Sequence, residues 1–540
     1  MPPSRSCLQS IVLTLLSALS VSACGGTNES VDAAVDHDAG VVMTDGQVVD
    51  DAGGSSSSVS QDAYIKASNT EAGDAFASAM VLSGDGNTLA IGAPGEDSNT
   101  HGIGGDQANN GATDSGAVYV YRRVEGAWML EAYLKASNAE AGDRFGTSVS
   151  IASNGSTLIV GADGEDSNAV GIDGDETNNS ASDSGAVYVF SRTTGVGWSQ
   201  RAYVKASNTH ASLSFGSHVG LGTSGDEFVV GATGDSSNAT GLDGNQSDTS
   251  APNSGAAYMF QLNTGHWSQE IYLKASNTEA GDMFGSSVAI AGAGVEFTVV
   301  VGAVGEASNA IGFNGDQVNN AAPNSGAVYI FKRAVFWNQE AYLKATNTES
   351  GDRFGANVAI NLFGNSIAVQ ASAEDGGGFG INGDQASNTG TDSGAVYTYT
   401  RVDPSIRMPD PSWVANAYFK SPNAVSSFGC SLSLAQSGQL LVVGSANDNT
   451  SGSQSGAVSM FEFSTAASAW AHIGSVHASN ADANDGFGTN VSMNTNANVF
   501  VFGAVGEDSN AIGIGGDQSN NAASGAGATY EFSADWPFHS

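Results

Sequence analysis

"SGAGATYEFSADWPFHS" runs from Ser524 to Ser540. Six earlier segments resemble it, the fullest being "SGAVYVFSRTTGVGWSQRAYVKASN" at Ser184 to Asn208. There a strand-like run rich in β-branched and aromatic residues meets a turn, then a tryptophan, then a Tyr-hydrophobe-Lys stretch. The last copy stops four residues after Trp536, so its final strand is missing. A stretch of the missing kind stands near the other end, where "DAYIKASN" (Asp62 to Asn69) has no earlier strands of its own. One outer strand in excess at the head and one in deficit at the tail predict a ring closed by pairing "DAYIKA" with "GATYEF".

Working outward, Phe-Gly pairs or their equivalents begin at Phe76, Phe145, Phe215, Phe284, Phe354, Phe428 and Phe487, at spacings of 69, 70, 69, 70, 74 and 59. A near-constant period repeated seven times is the mark of a repeat architecture. In copy two, "FGTSVSIA" (Phe145 to Ala152), "TLIVGA" (Thr157 to Ala162), "GAVYVFSR" (Gly185 to Arg192) and "WSQRAYVKA" (Trp198 to Ala206) read as four strands. The runs are too short and too rich in Val, Ile, Tyr and Phe for helices. Apolar residues on both faces of the second and third strands require each sheet to be covered on both sides. The fold class is therefore all-β, a seven-bladed β-propeller of four-stranded blades, closed by the N-terminal strand in the last blade.

The domain plan has three parts: residues 1–23 as a signal peptide, 24–60 as a tether, and 61–540 as the propeller. The first 23 residues carry one base, Arg5, and an apolar run from Ile11 to Leu19, too short to count as a membrane span. "VSAC" at its end resembles the bacterial lipobox, which implies acylation of Cys24 and anchoring of the chain to a membrane through lipid. Gly25 follows the cysteine, and in lipoprotein sorting the lack of Asp there implies the outer membrane, on its cell-surface or periplasmic face. Residues 25–60 hold seven acids and no Lys or Arg, a composition expected to be solvated. Cys7 would leave with the signal and Cys24 would carry lipid, so Cys430 is left as the one free thiol, expected to be a small buried hydrophobe.

The net charge of −38 repels nucleic acid and anionic lipid surfaces and attracts cations. All seven tryptophans recur once per copy, and the first five precede a tyrosine by five residues, as packing aromatics at a hairpin would. Lys66, Lys135, Lys205, Lys274, Lys344 and Lys420 also recur, and the expected role is protection of an exposed outer edge strand.

The order Phe-Gly, then "LAIGAP" or "LIVGAD", then "SGAVYVY" resembles the FG-GAP repeats of integrin α-subunit propellers and their bacterial relatives. Copy one departs with Phe76-Ala77, and copy five with "VQASA" in place of Gly-Ala. The resemblance implies a recognition surface outside the cell. The family's calcium loops do not carry over, because the connection between first and second strands is too short and too poor in carboxylates.

Oxygen ligands gather instead between second and third strands, as in "GEDSNAVGIDGDETNNSASDSG" (Gly164 to Gly185). Calcium takes six to eight oxygens on a chain that can turn tightly. The candidate metal ligands are Glu96, Asp97, Asp106, Glu165, Asp166, Asp175, Asp316, Asp384, Glu507, Asp508 and Asp517, with Ca2+ as the candidate cofactor. The competing reading is that the same Asp and Asn side chains close Asx-turns on their own backbone.

No catalytic residue is assigned. Near-identical blades present the same group repeatedly, whereas catalysis needs unlike groups converging at one place, and the eight histidines share no blade position. The expected function is a surface-anchored, non-catalytic binding or adhesion module that recognises a protein or glycan. The alternatives are a cell-envelope scaffold without a discrete ligand or, behind it, a propeller enzyme whose pocket lies among the divergent blades three, five and six.

Overall fold

The structure is a computed structural model, and it describes residues 59–294, 296–404, 411–423 and 427–534. The signal segment, Cys24, nearly all of the expected tether and Trp536 lie outside the described residues. Seven four-stranded antiparallel sheets follow one another. Blade I runs from Ala79 to Leu134, II from Ser148 to Val204, III from Phe215 to Leu273, IV from Phe284 to Leu343, V from Phe354 to Phe419 and VI from Leu432 to Val476. Blade VII takes three strands between Phe487 and Ala534 and its outer strand from Val59–Ile65. That strand pairs antiparallel with Ala528–Ala534, Tyr64 opposite Tyr530 and Val59 opposite Ala534. The closure is the expected one, and its outer strand is described from Val59, two residues before the boundary read from the sequence.

The first strands of neighbouring blades touch around the ring, so they line its centre and the fourth strands form the rim. Second and third strands are buried nearly throughout, as Leu158–Ala162 and Ala186–Phe190 show in blade II. The seven repeat phenylalanines are all fully buried. Each packs edge-on against an aromatic of its own third strand, as Phe145 does on Tyr188 at 5.3 Å. In six blades that third-strand tyrosine lies directly opposite an outer-strand tyrosine, as Tyr188 does to Tyr203. Such offset aromatic pairs contribute about 0.5–1.5 kcal/mol each beyond burial.

Glycine lets the blades meet. Gly146, the glycine of the Phe-Gly pair, has φ +94°. A Cβ on Gly92 of the preceding blade would lie 2.1 Å from the Gly146 carbonyl oxygen. Backbone thus rests on backbone at the joint, which no side chain could permit. The tryptophans join blades farther out. Trp198 donates its indole N–H to Glu131 of blade I at 3.1 Å, and Arg192 pairs with the same carboxylate at 2.7 Å. Trp337 with Arg333 and Trp413 with Arg401 repeat the arrangement on Glu270 and Glu340. The packing role read from the spacing holds for these residues.

Candidate functional site

Antiparallel pairing brings the loops between second and third strands to the same end of the ring as the connections between blades. The short hairpins lie at the opposite end. The loop-bearing end is built on a buried polar network that recurs from blade to blade. In blade II, Glu165 follows the second strand and Lys205 follows the outer strand; they are 1 % and 0 % exposed. Lys205 Nζ donates to Glu165 Oε2 at 2.5 Å and to Ser184 Oγ at 2.7 Å. The Tyr203 hydroxyl donates to Glu165 Oε1 at 2.7 Å. Asn138, from the connection out of blade I, donates to that same oxygen at 3.0 Å and accepts from the Tyr188 hydroxyl at 2.6 Å.

Lys66–Glu507, Lys135–Glu96, Lys274–Asp235, Lys344–Glu306 and Lys420–Glu374 are the equivalent pairs, at 2.6 to 3.1 Å. Burial lowers the pKa of each lysine amine, and the partner carboxylate opposes that shift. Removing two charges from water is tolerated only with further hydrogen bonds of the kind seen here.

The lysines therefore do not guard an exposed edge, and that expectation is corrected. In the six blades that carry the lysine, the long loop folds outward and covers the edge where it sits. In blade II, Ile172 bridges to Val204, and the Lys205 N–H donates to the Gly171 carbonyl at 2.8 Å. Gly171 adopts φ +74° to make this turn. A signal for the pairing was present in the sequence. The lysine recurs in six copies and an acid just after the second strand recurs in all seven.

The candidate metal ligands fall into two groups. Glu96, Glu165 and Glu507 are the carboxylates of the buried lysine pairs. The eight aspartates each accept a backbone N–H within their own loop. Asp97, Asp166 and Asp508 accept from Asp114, Asp183 and Gly525 across the loop neck. Asp106, Asp175, Asp316, Asp384 and Asp517 accept from the residue two places on, closing Asx-turns. Among the described residues no three His, Cys, Asp or Glu side chains gather as a group able to hold a metal ion. Each of the eleven carboxylates thus already has a protein partner.

A second ring of acids escaped sequence reading. Asp74, Asp143, Asp282, Asp352 and Asp485 lie two residues before the repeat phenylalanine and are 2–4 % exposed. Each accepts a backbone N–H three residues back, as Asp143 does from Glu140 at 2.7 Å. Desolvation pushes the first four up to about 7 and Asp485 to about 6. Cys430, partly buried just before the first strand of blade VI, has its thiol pushed up to about 11 by burial, so it is a poor nucleophile.

Blades V and VI break the pattern. Blade VI has Ser459 and Ser475 where the tyrosines stand, Asp448 for the glutamate and His477 for the lysine, and its loop runs only from Ala446 to Gly456. In blade V, Gly376 and Gly377 replace the Ser-Asn that opens the other long loops. Between them opens a cavity of about 350 Å³, bordered by Gly376–Phe379, Thr389, Ser393, Lys420, Asn423 and Asn449. Ser393 is partly exposed there, whereas its counterparts Ser115, Ser184, Ser254 and Ser325 are buried.

With fold and site in place, comparison with known proteins gives a family model that matches two stretches of the chain. Residues 128–190 and 267–331 match the FG-GAP repeat model. The chain is a seven-bladed propeller, and two stretches of it match the FG-GAP repeat. Both matched stretches begin at an outer-strand tryptophan and end in the third strand of the next blade. The FG-GAP unit is thus offset by one strand from the blade, the same offset that leaves Val59–Ile65 to complete blade VII. Among curated proteins none matches. Among solved structures, the crystal structure of the Saccharomyces cerevisiae Sqt1 matches over 82 % of each chain at 9 % identity, with a TM-score of 0.42. Among the described residues no helix is long and apolar enough to cross a membrane.

Proposed function

We propose that this FG-GAP propeller is a non-catalytic recognition module, held at the bacterial outer membrane by lipid on Cys24, whose loop-bearing face engages a protein or glycan. The observation that carries the reading is the asymmetry of that face. Five blades seal their loops over the buried lysine network, and the joint between blades V and VI leaves a cavity open. A rigid ring with one open, polar, loop-lined recess suits binding, since the recess is formed before any ligand arrives. The absence of catalysis is supported by the cavity's chemistry: its one ionisable lining group, Lys420, is tied to Glu374 and Ser393.

The test has two arms. Expressed with its N-terminus intact, the chain should incorporate a fatty-acid label and partition with outer membranes, and Cys24→Ser should abolish both. The purified chain should bind cell-surface or extracellular-matrix material saturably. Unsaturable adsorption would favour an envelope scaffold, and turnover of an added substrate would favour an enzyme. Binding and melting midpoint should be unmoved by millimolar calcium or by a chelator, because each candidate carboxylate already has a protein partner; a calcium-dependent rise in midpoint would reverse that expectation.

A further inference from the structure

We infer that the cavity between blades V and VI binds a neutral saccharide unit. This rests on the recognition reading above and names the ligand class for that face.

The cavity follows from specific losses. At the other joints, the asparagine that ends the inter-blade Lys-x-x-Asn stretch has its carboxamide fully engaged. Asn138 donates to Glu165 and to the Glu176 carbonyl and accepts from Tyr188. Asn423 holds the same place after Lys420, but the groups it would meet in blade VI are Ser459 and Asp448, and the long loop is gone. Among the described residues the Asn423 side chain has no hydrogen-bond partner, and it is exposed at the cavity's edge. An amide without a partner among the described residues offers both a donor and an acceptor to a ligand.

The remaining lining points the same way. Three successive glycines, Gly376 to Gly378, line it without side chains, and beside them the Thr389 hydroxyl pairs with Ser387 and the Ser393 hydroxyl accepts from Lys420, so the wall is polar and uncharged. Phe379 stands 59 % exposed at the rim, in the position held by Val170, Ile311 and Ile512 in blades II, IV and VII. Charge excludes the main competitors. An anionic ligand would meet a chain of net charge −38 and find the one lysine already neutralised by Glu374. A cationic ligand would find no free carboxylate among the lining residues. What fits is an uncharged molecule with many hydroxyls and one apolar face to lie against Phe379, which describes a sugar ring. The volume is at the small end of ligand pockets, about 300–1,000 Å³.

The experiment titrates the full chain with glucose, galactose, mannose, N-acetylglucosamine and their disaccharides, following heat or ligand NMR signals to millimolar concentrations. At least one should bind saturably. Phe379→Ala and Asn423→Ala should each weaken it about tenfold or more, the effect of about 1.4 kcal/mol. Val170→Ala, at the matching position of blade II, should leave it unchanged. Because Phe379 and Asn423 are exposed, both variants should melt as the wild type does, which separates lost contact from lost fold. No binding across the panel, or binding that both variants retain, overturns the inference. If the panel is blank while the chain still binds cell-surface material saturably, the recognition reading stands and the saccharide assignment falls.

Discussion

Blade II and blade VI carry the same four-strand skeleton. Both pair third to fourth strand with a bulge at the same place, at Val189/Phe190 and Met460/Phe461, and both bury the repeat phenylalanine completely. Yet blade II holds a buried Lys–Glu–Tyr–Asn network and blade VI has none of it. The difference separates two jobs. Apolar packing around Phe145 or Phe428 suffices to make a blade. The polar network acts on the loop above it and on the joint to the preceding blade, since Asn138 enters from blade I and binds Glu165 and Tyr188. Where the network is lost, the blade persists and the joint opens.

The sharpest break of this comparison is at the closure, where one network spans both chain ends. Lys66 and Tyr64 serve Glu507 from the outer strand of blade VII. Deleting residues 1–66 would strip that strand and leave Glu507 buried without a countercharge. The expected result is loss of a cooperative melt, read by circular dichroism and size exclusion. A truncated chain melting at the wild-type midpoint would mean that closure by Val59–Ile65 adds nothing.

Next in size is the network itself. Lys205→Met strands a buried carboxylate and should cost about 3–5 kcal/mol in denaturant unfolding. Adding Glu165→Leu should recover only part of that: it removes the stranded charge, but the Tyr203 hydroxyl and the Asn138 amide lose their acceptor. The matching change in blade VI, His477→Met, removes only a partly buried ring that contacts the Gly456 carbonyl at 3.2 Å and should cost under about 1 kcal/mol. Equal losses at the two sites would refute the division of labour between packing and network.

These contrasts also show what a sequence displays. Repetition made the ring, its seven wedges, its four-strand grammar and its strand exchange readable, because each follows from apolar periodicity and the offset of the two ends. The lysines were misread because one strand's pattern cannot show that a loop from its own blade will fold over its edge, as Gly171 and Ile172 do. Glu96, Glu165 and Glu507 looked like metal ligands for the same reason: their partners are some 40 residues away in blades I and II, and at the opposite end of the chain for Glu507. The cavity at blades V and VI was visible only as divergence. Its content came from what the neighbours had lost around Asn423, which requires knowing what an intact joint contains.

The ring of buried aspartates sharpens the comparison by pH. Asp143 titrates near 7 in the folded chain and near 3.8 when free, so the folded state holds the extra proton between those values. Stability from this group is therefore full below about pH 4 and falls as pH rises to about 7, then stays level. Asp143→Asn keeps the side-chain acceptor for the Glu140 N–H and removes the charge. Its gain over wild type should be near zero at pH 4, grow through the window, and reach about 1–2 kcal/mol at pH 8, less than the full shift converts to because water partly reaches the site. Blade III offers an internal control, with Leu213 at the same position. A gain independent of pH would mean that Asp143 is neutral, or ionised, in both states throughout.

The smallest expected effect lies at the joint between blades VII and I, where Ala77 stands in place of the repeat glycine. It holds φ +75°, a conformation that costs a residue with a Cβ, and it faces Gly503 of blade VII. Two terms of opposite sign compete in Ala77→Gly. Relief of the left-handed backbone stabilises the fold, while glycine's greater freedom in the unfolded chain costs about 0.4–1 kcal/mol. Space does not tip the balance strongly, because a Cβ on Gly503 would still meet the Ala77 Cβ at 3.1 Å and its oxygen at 3.2 Å. At Gly146, by contrast, an added Cβ would come within 2.6 Å of the Ala117 carbonyl, so there the glycine is obligatory. The joint at Ala77 has already widened to admit a methyl group, and Ala77→Gly should therefore raise stability by only about 0.5 kcal/mol in denaturant unfolding. A loss of 1 kcal/mol or more would show that the methyl group is a packing contact of that joint and not a tolerated strain.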